Sequence, residues 1–151
     1  MKIIRTDQVQ WQSAMNRGPF QSRRKQIGGE KLTAGLWELA PGKLSFPMNT
    51  HSITEEAMYV ISGTGVVRTS EGEPQIAAGD YVSFPPGGPA HQVQADAAAP
   101  LVFLAMSAVQ GFDLVEYPNS KKVACSLGTG PNAKRFVFRE ADQADYFEGE
   151  E

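Results

Sequence analysis

Residues 51–63 read HSITEEAMYVISG, and residues 79–94 read GDYVSFPPGGPAHQVQ. Each segment places a histidine beside a turn and a short run of β-branched and aromatic residues. Turn-forming residues recur at short intervals around both segments, with 15 glycines and 10 prolines in the 151-residue chain. Turn-forming residues at such short intervals indicate many short strands rather than long helices.

The stretches between these turns have the composition of strands, and none between residues 28 and 110 keeps a 3.6-residue apolar period. The sequence therefore predicts an all-β domain, built as a sandwich or a barrel. The run from Leu101 to Met106 is apolar without alternation, which indicates a strand covered on both faces by a second sheet or by a partner subunit. The predicted strands are 32–39, 43–49, 56–62, 66–69, 81–85, 91–94 and 101–106.

Composition and charge exclude several classes of protein. Hydrophobic residues make up 41% of the chain and charged residues 21%, which is typical of a globular protein and excludes wholesale disorder. A formal net charge of −3 excludes a generally basic nucleic-acid coat. The single cysteine, Cys125, permits no intrachain disulfide and excludes a cysteine-rich zinc fold. A polar start and the lack of an apolar run of about 20 residues predict a cytoplasmic protein that does not cross a membrane.

The length predicts one domain over residues 1–151, since a typical domain has about 100–200 residues. We expect a barrel core at about residues 30–110, a polar N-terminal extension at 1–27 and an acidic C-terminal tail at 139–151. The tail has six acidic residues, so the negative charge of the chain is concentrated there.

Two charged segments allow alternative interpretations. The run Arg23-Arg24-Lys25 could receive a phosphorylated substrate, because guanidinium groups match phosphate geometry, but an exposed polar segment is the preferred interpretation. The acidic tail is interpreted as solvated, with the alternative that Tyr146 and Phe147 anchor it on the barrel or on a neighbouring subunit.

The chain has only two histidines, His51 and His91, and both lie beside turn-rich segments. Asn49 lies two residues before His51, so on a strand their side chains share one face. If residues 52–55 turn the chain, Glu56 returns opposite His51, and His91 arrives from a more distant strand. Two imidazoles and one carboxylate would then form a 2-His-1-carboxylate site with open coordination positions.

The spacing of these residues resembles the two motifs of the cupin family. Pro41-Gly42 followed by His51-x4-Glu56-x6-Gly63 resembles the first motif. Gly79-x5-Pro85-x-Gly87-x3-His91 resembles the second, with one extra residue before the histidine. The resemblance implies a double-stranded β-helix, a jelly-roll-like barrel that holds one divalent metal ion (Zn, Mn, Ni or Fe).

Cupins usually bind this metal through three histidines and one glutamate, so the resemblance implies that His51, Glu56 and His91 are ligands. The first family histidine corresponds to Asn49, whose amide is a weaker ligand for these metals than imidazole. The site is therefore either a three-ligand site with additional water or a pocket that has lost its metal. The family asparagine after the second motif corresponds to Ala95.

Residues 113–122 resemble a stretch that follows the barrel in a subgroup of stand-alone cupins, some of which are assigned as sugar-phosphate isomerases. The resemblance implies a metal-dependent enzyme for a small molecule, either an isomerase of a sugar or hydroxy acid or a dioxygenase. The alternative is a metal-free barrel that binds a small ligand without turnover. Exposed strand edges predict a homodimer. The residues expected to line the barrel interior as a pocket are Met48, Met58, Val60 and Phe84.

Overall fold

The structure is a computed structural model that describes residues 1–150. Within this range the regular structure consists of thirteen strands and four 3-10 turns, at Thr6–Gln8, Pro118–Ser120, Gly130–Asn132 and Glu140–Asp142. No helix in residues 1–150 has the length and apolar character needed to span a bilayer. The strands are β1 Gln12–Arg17, β2 Phe20–Gln26, β3 Leu32–Leu39, β4 Thr50–His51, β5 Glu55–Ser62, β6 Thr64–Thr69, β7 Gln75–Ala77, β8 Tyr81–Phe84, β9 His91–Ala95, β10 Leu101–Ala108, β11 Phe112–Tyr117, β12 Lys122–Leu127 and β13 Lys134–Arg139.

The strands form two facing layers. The first layer is a six-stranded sheet in the order β1-β2-β3-β10-β5-β8. The second layer combines the sheets β7-β6-β9 and β13-β12-β11-β4. Isolated bridges from Leu44 to Gln94 and from Asn49 to His91 join its two parts. The expected all-β double-stranded β-helix is confirmed.

The core lies between the layers because alternate side chains of each strand point inward. Met58 and Val60 on β5 lie beside Leu101 and Phe103 on the neighbouring strand β10, and all four are at most 2% exposed. Burial of such side chains stabilises the fold by about 1.5–3 kcal/mol each. The buried core cluster is Leu39, Met58, Val60, Val67, Ile76, Val93, Ala95, Leu101 and Phe103.

The predicted strand over residues 43–49 is wrong. This segment runs beside β9 but pairs with it only through isolated bridges. The hydroxyl of Ser45 accepts a hydrogen bond from the main-chain N–H of Val93 at 3.1 Å, a role that a main-chain carbonyl has in a regular ladder. Pro47 has no N–H to donate. The segment therefore lies in the second layer without regular strand geometry.

Strands outside the expected barrel core of 30–110 extend both layers. β1 and β2 lengthen the first layer beyond β3, and β11 to β13 lengthen the second layer beyond β4. The pairing of β11 with β4 places Val115 opposite His51. Consequently β11 lies directly beside the segment that carries the first histidine.

Candidate functional site

The two layers bring the predicted site residues together. Asn49, His51 and His91 lie on neighbouring segments of the second layer, where Asn49 pairs with His91 through main-chain bonds of 3.2 and 2.9 Å. Glu56 points toward them from β5 of the first layer. Its Oε2 atom lies 3.4 Å from Nε2 of His51 and 3.6 Å from Nε2 of His91. The chain thus gathers both imidazoles around one carboxylate oxygen.

The turn before His91 is tied to the strand of His51. The main-chain N–H of Gly87 donates to the carbonyl of His51 at 2.7 Å. The hydroxyl of Thr50 donates to the carbonyl of Gly88 at 2.7 Å. Gly87 has a φ of +68°, a conformation that glycine adopts without steric cost. These bonds connect the approaches of the two imidazoles to each other.

Asp113 on β11 orients His51. Its carboxylate contacts Nδ1 of His51 and accepts hydrogen bonds from the main-chain N–H groups of Ile53 at 3.1 Å and Thr54 at 3.4 Å. A neutral imidazole that donates its Nδ1–H to a carboxylate carries a lone pair on Nε2. Asp113 therefore directs the lone pair of His51 toward Glu56.

His91 is buried without a partner for its outer nitrogen. The residue is 3% exposed, and its Nε2 atom has no hydrogen-bond partner among residues 1–150. Its ring stacks on Phe84 with centroids 3.8 Å apart and meets Phe46 edge-on at 6.0 Å. A buried polar atom without a partner costs about 1–3 kcal/mol, so a ligand for this nitrogen would be stabilising.

A cation bound between Glu56 and the two histidines would stabilise their arrangement. Its Oε1 atom accepts a hydrogen bond from the hydroxyl of Ser107 at 3.0 Å, which turns Oε2 toward the two histidines. A carboxylate oxygen and an imidazole lone pair are both acceptors, so they repel unless a proton or a metal ion lies between them. The partly buried site therefore suits a bound cation.

The pKa values of both carboxyl groups are lowered. Burial alone raises the pKa of Glu56, but His91, His51 and Ser107 together more than offset it, so the net pKa lies below 4.5. Burial also opposes ionisation of Asp113, yet the bond to His51 and those from Thr54 and Ile53 bring its pKa below 3.8. Both groups are therefore negatively charged at neutral pH.

The donor set matches a divalent transition metal in chemistry and in two of its separations. Metal–donor bonds of about 2.0–2.2 Å at tetrahedral angles separate two donors by roughly 3.3–3.6 Å. The separations of Glu56 from His51 and His91 have these lengths. Within residues 1–150, however, no group of three or more His, Cys, Asp or Glu side chains is spaced so that it could hold a metal ion as it stands. Asn49 is 6% exposed and could supply a further, weaker oxygen ligand.

A cavity of about 650 Å³ opens between β8 and the hairpin of β6 and β7. Phe84 and His91 are among its lining residues, so it borders the site from the His91 side. Of the other residues expected to line a pocket, Met58 and Val60 belong to the core cluster, and Met48 is half-buried. The cavity has room for a small molecule.

Sequence reasoning missed the polar partners of the ligand candidates. Asp113 lies 62 residues after His51, and Ser107 lies 51 residues after Glu56. Asp113 does begin the stretch 113–122 that resembles a cupin subgroup, but nothing local to it indicates a contact with histidine. Both partners follow from strand register.

The basic run of residues 23–25 lies within β2 and away from the site. The guanidinium of Arg23 forms an ion pair with Glu38 at 2.8 Å and lies 4.6 Å from the centre of the Trp11 ring. Lys25 donates to the carbonyl of Thr6 at 2.6 Å. The guanidinium of Arg24 lies 5.6 Å from the centre of the Trp37 ring, so all three cations have structural partners.

Comparisons with known proteins agree with this architecture. A family model described as the Cupin domain matches residues 35–107, a range that includes all four ligand candidates. No curated protein sequence matches the chain significantly.

Three solved structures show the similarity in detail. A sugar phosphate isomerase of the cupin superfamily from Silicibacter pomeroyi superposes with a TM-score of 0.79 at 19% identity, covering 97% of this chain and 98% of that one. A protein from Acidithiobacillus ferrooxidans, provisionally assigned as a sugar phosphate isomerase, has 29% identity and a TM-score of 0.69, with 82% and 80% covered. A predicted oxalate decarboxylase from Thermotoga maritima has 19% identity and a TM-score of 0.64, with 72% and 100% covered.

These activities differ although the barrel is shared, so the comparison supports the fold and leaves the reaction to the site. The two-layered barrel, the paired histidine motifs and the family match over residues 35–107 together support the assignment of this chain to the cupin superfamily.

Proposed function

We propose that this cupin is a metal-dependent isomerase of a sugar or hydroxy acid. The observation that carries the proposal is the convergence of His51 Nε2 and His91 Nε2 on one oxygen of Glu56, which gathers two nitrogen donors and one oxygen donor of the kind that binds a divalent ion. The similarity to a protein provisionally assigned as a sugar phosphate isomerase, at 29% identity, supports the reaction class.

His51, His91 and Glu56 would hold the ion, and Asn49 would be the weaker fourth contact. Nitrogen and carboxylate donors of this kind suit Zn, Mn, Ni or Fe. A divalent ion bound there supplies Lewis acidity toward the carbonyl and hydroxyl oxygens of a substrate.

The remaining side chains would prepare the site for this ion. Asp113 holds His51 in the tautomer that presents Nε2, and Ser107 fixes the orientation of the Glu56 carboxylate. Phe84 and Phe46 keep water from His91. A buried first set of ligands supported by outer hydrogen bonds is typical of protein metal centres.

The second candidate is a metal-free barrel that binds a small ligand without turnover. Its supporting observation is that the three donors, as they stand, do not have the spacing of a metal site. In that case Glu56 and the histidines would share protons instead of a metal ion. A dioxygenase would use the same metal ligands as the isomerase. Only an assay of the reaction distinguishes the two enzymes.

Metal analysis of untagged protein, followed by an isomerisation assay, tests the proposal. We expect close to one equivalent of a divalent ion per chain and interconversion of aldose and ketose forms without consumption of oxygen. Oxygen uptake coupled to product formation would assign the dioxygenase reaction. Protein without metal, and with unchanged stability after addition of Zn, Mn, Ni or Fe(II), would favour the metal-free module.

We predict that Asp113→Asn weakens metal binding about 10–100-fold, the range typical for loss of an outer-shell partner of a histidine ligand. The amide can present its NH₂ group to Nδ1 and so favour the wrong tautomer of His51. Competition with a chromophoric chelator measures the affinity. Glu116→Gln removes a carboxylate from the exposed face of the same strand and is the matched control. Equal affinities of the two variants would contradict the role of Asp113.

We also propose that the chain forms a homodimer, as its strand edges predict. β13 is an edge strand with exposed apolar side chains, and Phe136 and Phe138 on its outer face are 45% and 57% exposed. Unpaired edges of this kind favour association with another strand. Sedimentation equilibrium should give twice the 16.4 kDa chain mass, and Phe138→Lys should reduce it to the monomer. A monomeric parent protein would refute this interface. The cytoplasmic location expected from the sequence stays a prediction.

A further inference from the structure

The sheet that carries His51 also carries a cationic strip, formed by Lys122, Arg135 and Arg139. The strip lies on the face of the sheet to which the side chains of His51 and Asp113 belong. In the antiparallel register, Tyr117 lies opposite Lys122, and Lys122 lies opposite Arg139. Side chains alternate along a strand, so Tyr117 shares its face with Asp113, four residues earlier. Arg135 lies four residues before Arg139 and therefore also faces this side.

The side chains of this strip converge on Tyr117. Arg135 Nη2 donates a hydrogen bond to the hydroxyl of Tyr117, and its guanidinium carbon lies 6.0 Å from the centre of the phenol ring. The Lys122 ammonium lies 5.8 Å from the same centre. Because the hydroxyl of Tyr117 accepts from Arg135, its own proton remains free to be donated to a third group.

Two cations of the strip that lie around Tyr117, Arg135 and Lys122, lack carboxylate partners within residues 1–150. In the part of the chain that the structure describes, no carboxylate oxygen lies within 4.0 Å of a side-chain nitrogen of Arg135 or Lys122. Lys122 is half-buried and Arg135 is exposed, so the group spans the boundary between protein and solvent. Unpaired cations held around a hydrogen-bond donor form a receptor for an anion.

The group lies next to the candidate metal centre. Val115 pairs with His51, and Tyr117 follows it on the same face at about 7 Å along the strand. The phenol is close enough to the site for its pKa to respond to it. Burial is the main cause that raises the pKa of Tyr117 above 10.0, Arg135 opposes the shift, and the charges of Glu56 and Asp113 add to it. The hydroxyl therefore stays protonated at neutral pH and available as a donor.

We propose that Arg135, Lys122 and Tyr117 form the subsite that binds the phosphate group of a phosphate-ester substrate whose reacting end lies at His51, Glu56 and His91. The inference deepens the proposed function and rests on it. A guanidinium fork, an ammonium and a phenol hydroxyl together offer two positive charges and several donors, which match a phosphate dianion with three terminal oxygens. A carboxylate, with one negative charge and two oxygens, would leave one cation unbalanced.

Binding of inorganic phosphate, followed by amide chemical shifts, tests the subsite without a substrate. We expect Arg135→Gln and Lys122→Gln each to weaken phosphate binding at least 10-fold, and Tyr117→Phe to weaken it by a smaller factor. Lys134→Gln is the matched control, because Lys134 is the neighbour of Arg135 on the opposite face of the exposed strand β13. Its phosphate affinity should equal that of the parent protein.

With a phosphorylated sugar, Arg135→Gln should raise KM at least 10-fold with little change in kcat. Unchanged phosphate affinity in the Arg135 and Lys122 variants, or equal affinity of the parent protein for acetate, would overturn the phosphate subsite. His51→Ala separates this outcome from failure of the proposed function. It should lose metal yet retain phosphate binding, whereas a parent protein without metal would refute the metal-dependent reaction alone.

Discussion

Replacing His51 by alanine is expected to lower the affinity for a divalent ion by more than about 100-fold, since loss of an outer partner alone costs about 10–100-fold. The change removes one of the nitrogens that converge on Glu56 and leaves Asp113 without its imidazole partner. His91→Ala should have a comparable effect because it removes the second nitrogen near Glu56, a buried Nε2 atom with no hydrogen-bond partner within residues 1–150. Metal content of the untagged variants, measured by mass spectrometry, is the direct readout.

Asn49→His tests the same site in the opposite direction, by adding a ligand instead of removing one. Asn49 pairs with His91 on the interior side of the barrel, where a third imidazole would be a better ligand than an amide. We therefore expect tighter metal binding in this variant than in the parent protein. Retention of a full equivalent of metal by His51→Ala would show that the ion binds elsewhere. Circular dichroism of each variant establishes that the β fold is intact.

Gly63→Ala is expected to destabilise the fold by about 3 kcal/mol or more. Gly63 ends the first motif, between β5 and β6, with a φ of +85°. A left-handed conformation costs a residue with a Cβ about 1–2 kcal/mol. In addition, a Cβ at this position would lie 2.3 Å from the carbonyl oxygen of Pro100, which is main chain and cannot rotate away. Urea unfolding at neutral pH measures the loss.

Gly111→Ala is the matched control for the steric part of this prediction. Gly111 has the same φ of +85°, but a Cβ there would meet nothing within 4 Å. Its replacement should therefore cost only the backbone term of about 1–2 kcal/mol. If both variants lose the same free energy of unfolding, the contact with Pro100 contributes nothing and the glycine serves the turn alone.

The sequence predicted most reliably those strands of the barrel that have one apolar face. β5 alternates so that Glu56, Met58 and Val60 share the interior face while Tyr59 is 44% exposed. The prediction missed β1, β2, β4, β7 and β11 to β13. Among these, β1 is mostly polar and β13 is exposed on both faces. Period-two alternation becomes visible only when one side of a strand is buried. Edge strands of a two-layered barrel do not meet that condition.

The ligand candidates could also be predicted from the sequence, because each is identified by a short motif of neighbouring residues. The turn after His51 returns Glu56 to face it, and the Pro-Gly turn before His91 ends at the start of β9. In both cases a motif of fewer than fifteen residues sets the direction of the side chain. The outer partners have no such local signature.

Linear order along the chain thus predicted an all-β barrel and four metal-ligand candidates, since turn residues and two-residue alternation act over short distances. The supporting groups depended on which strands became neighbours. Asp113 reaches His51 because β11 pairs with β4. Arg135 reaches Tyr117 because β13 pairs with β12 and β12 with β11, which places both side chains on one face of the sheet. Pairing between strands far apart in the chain is governed by the packing of the whole barrel. No local pattern encodes it.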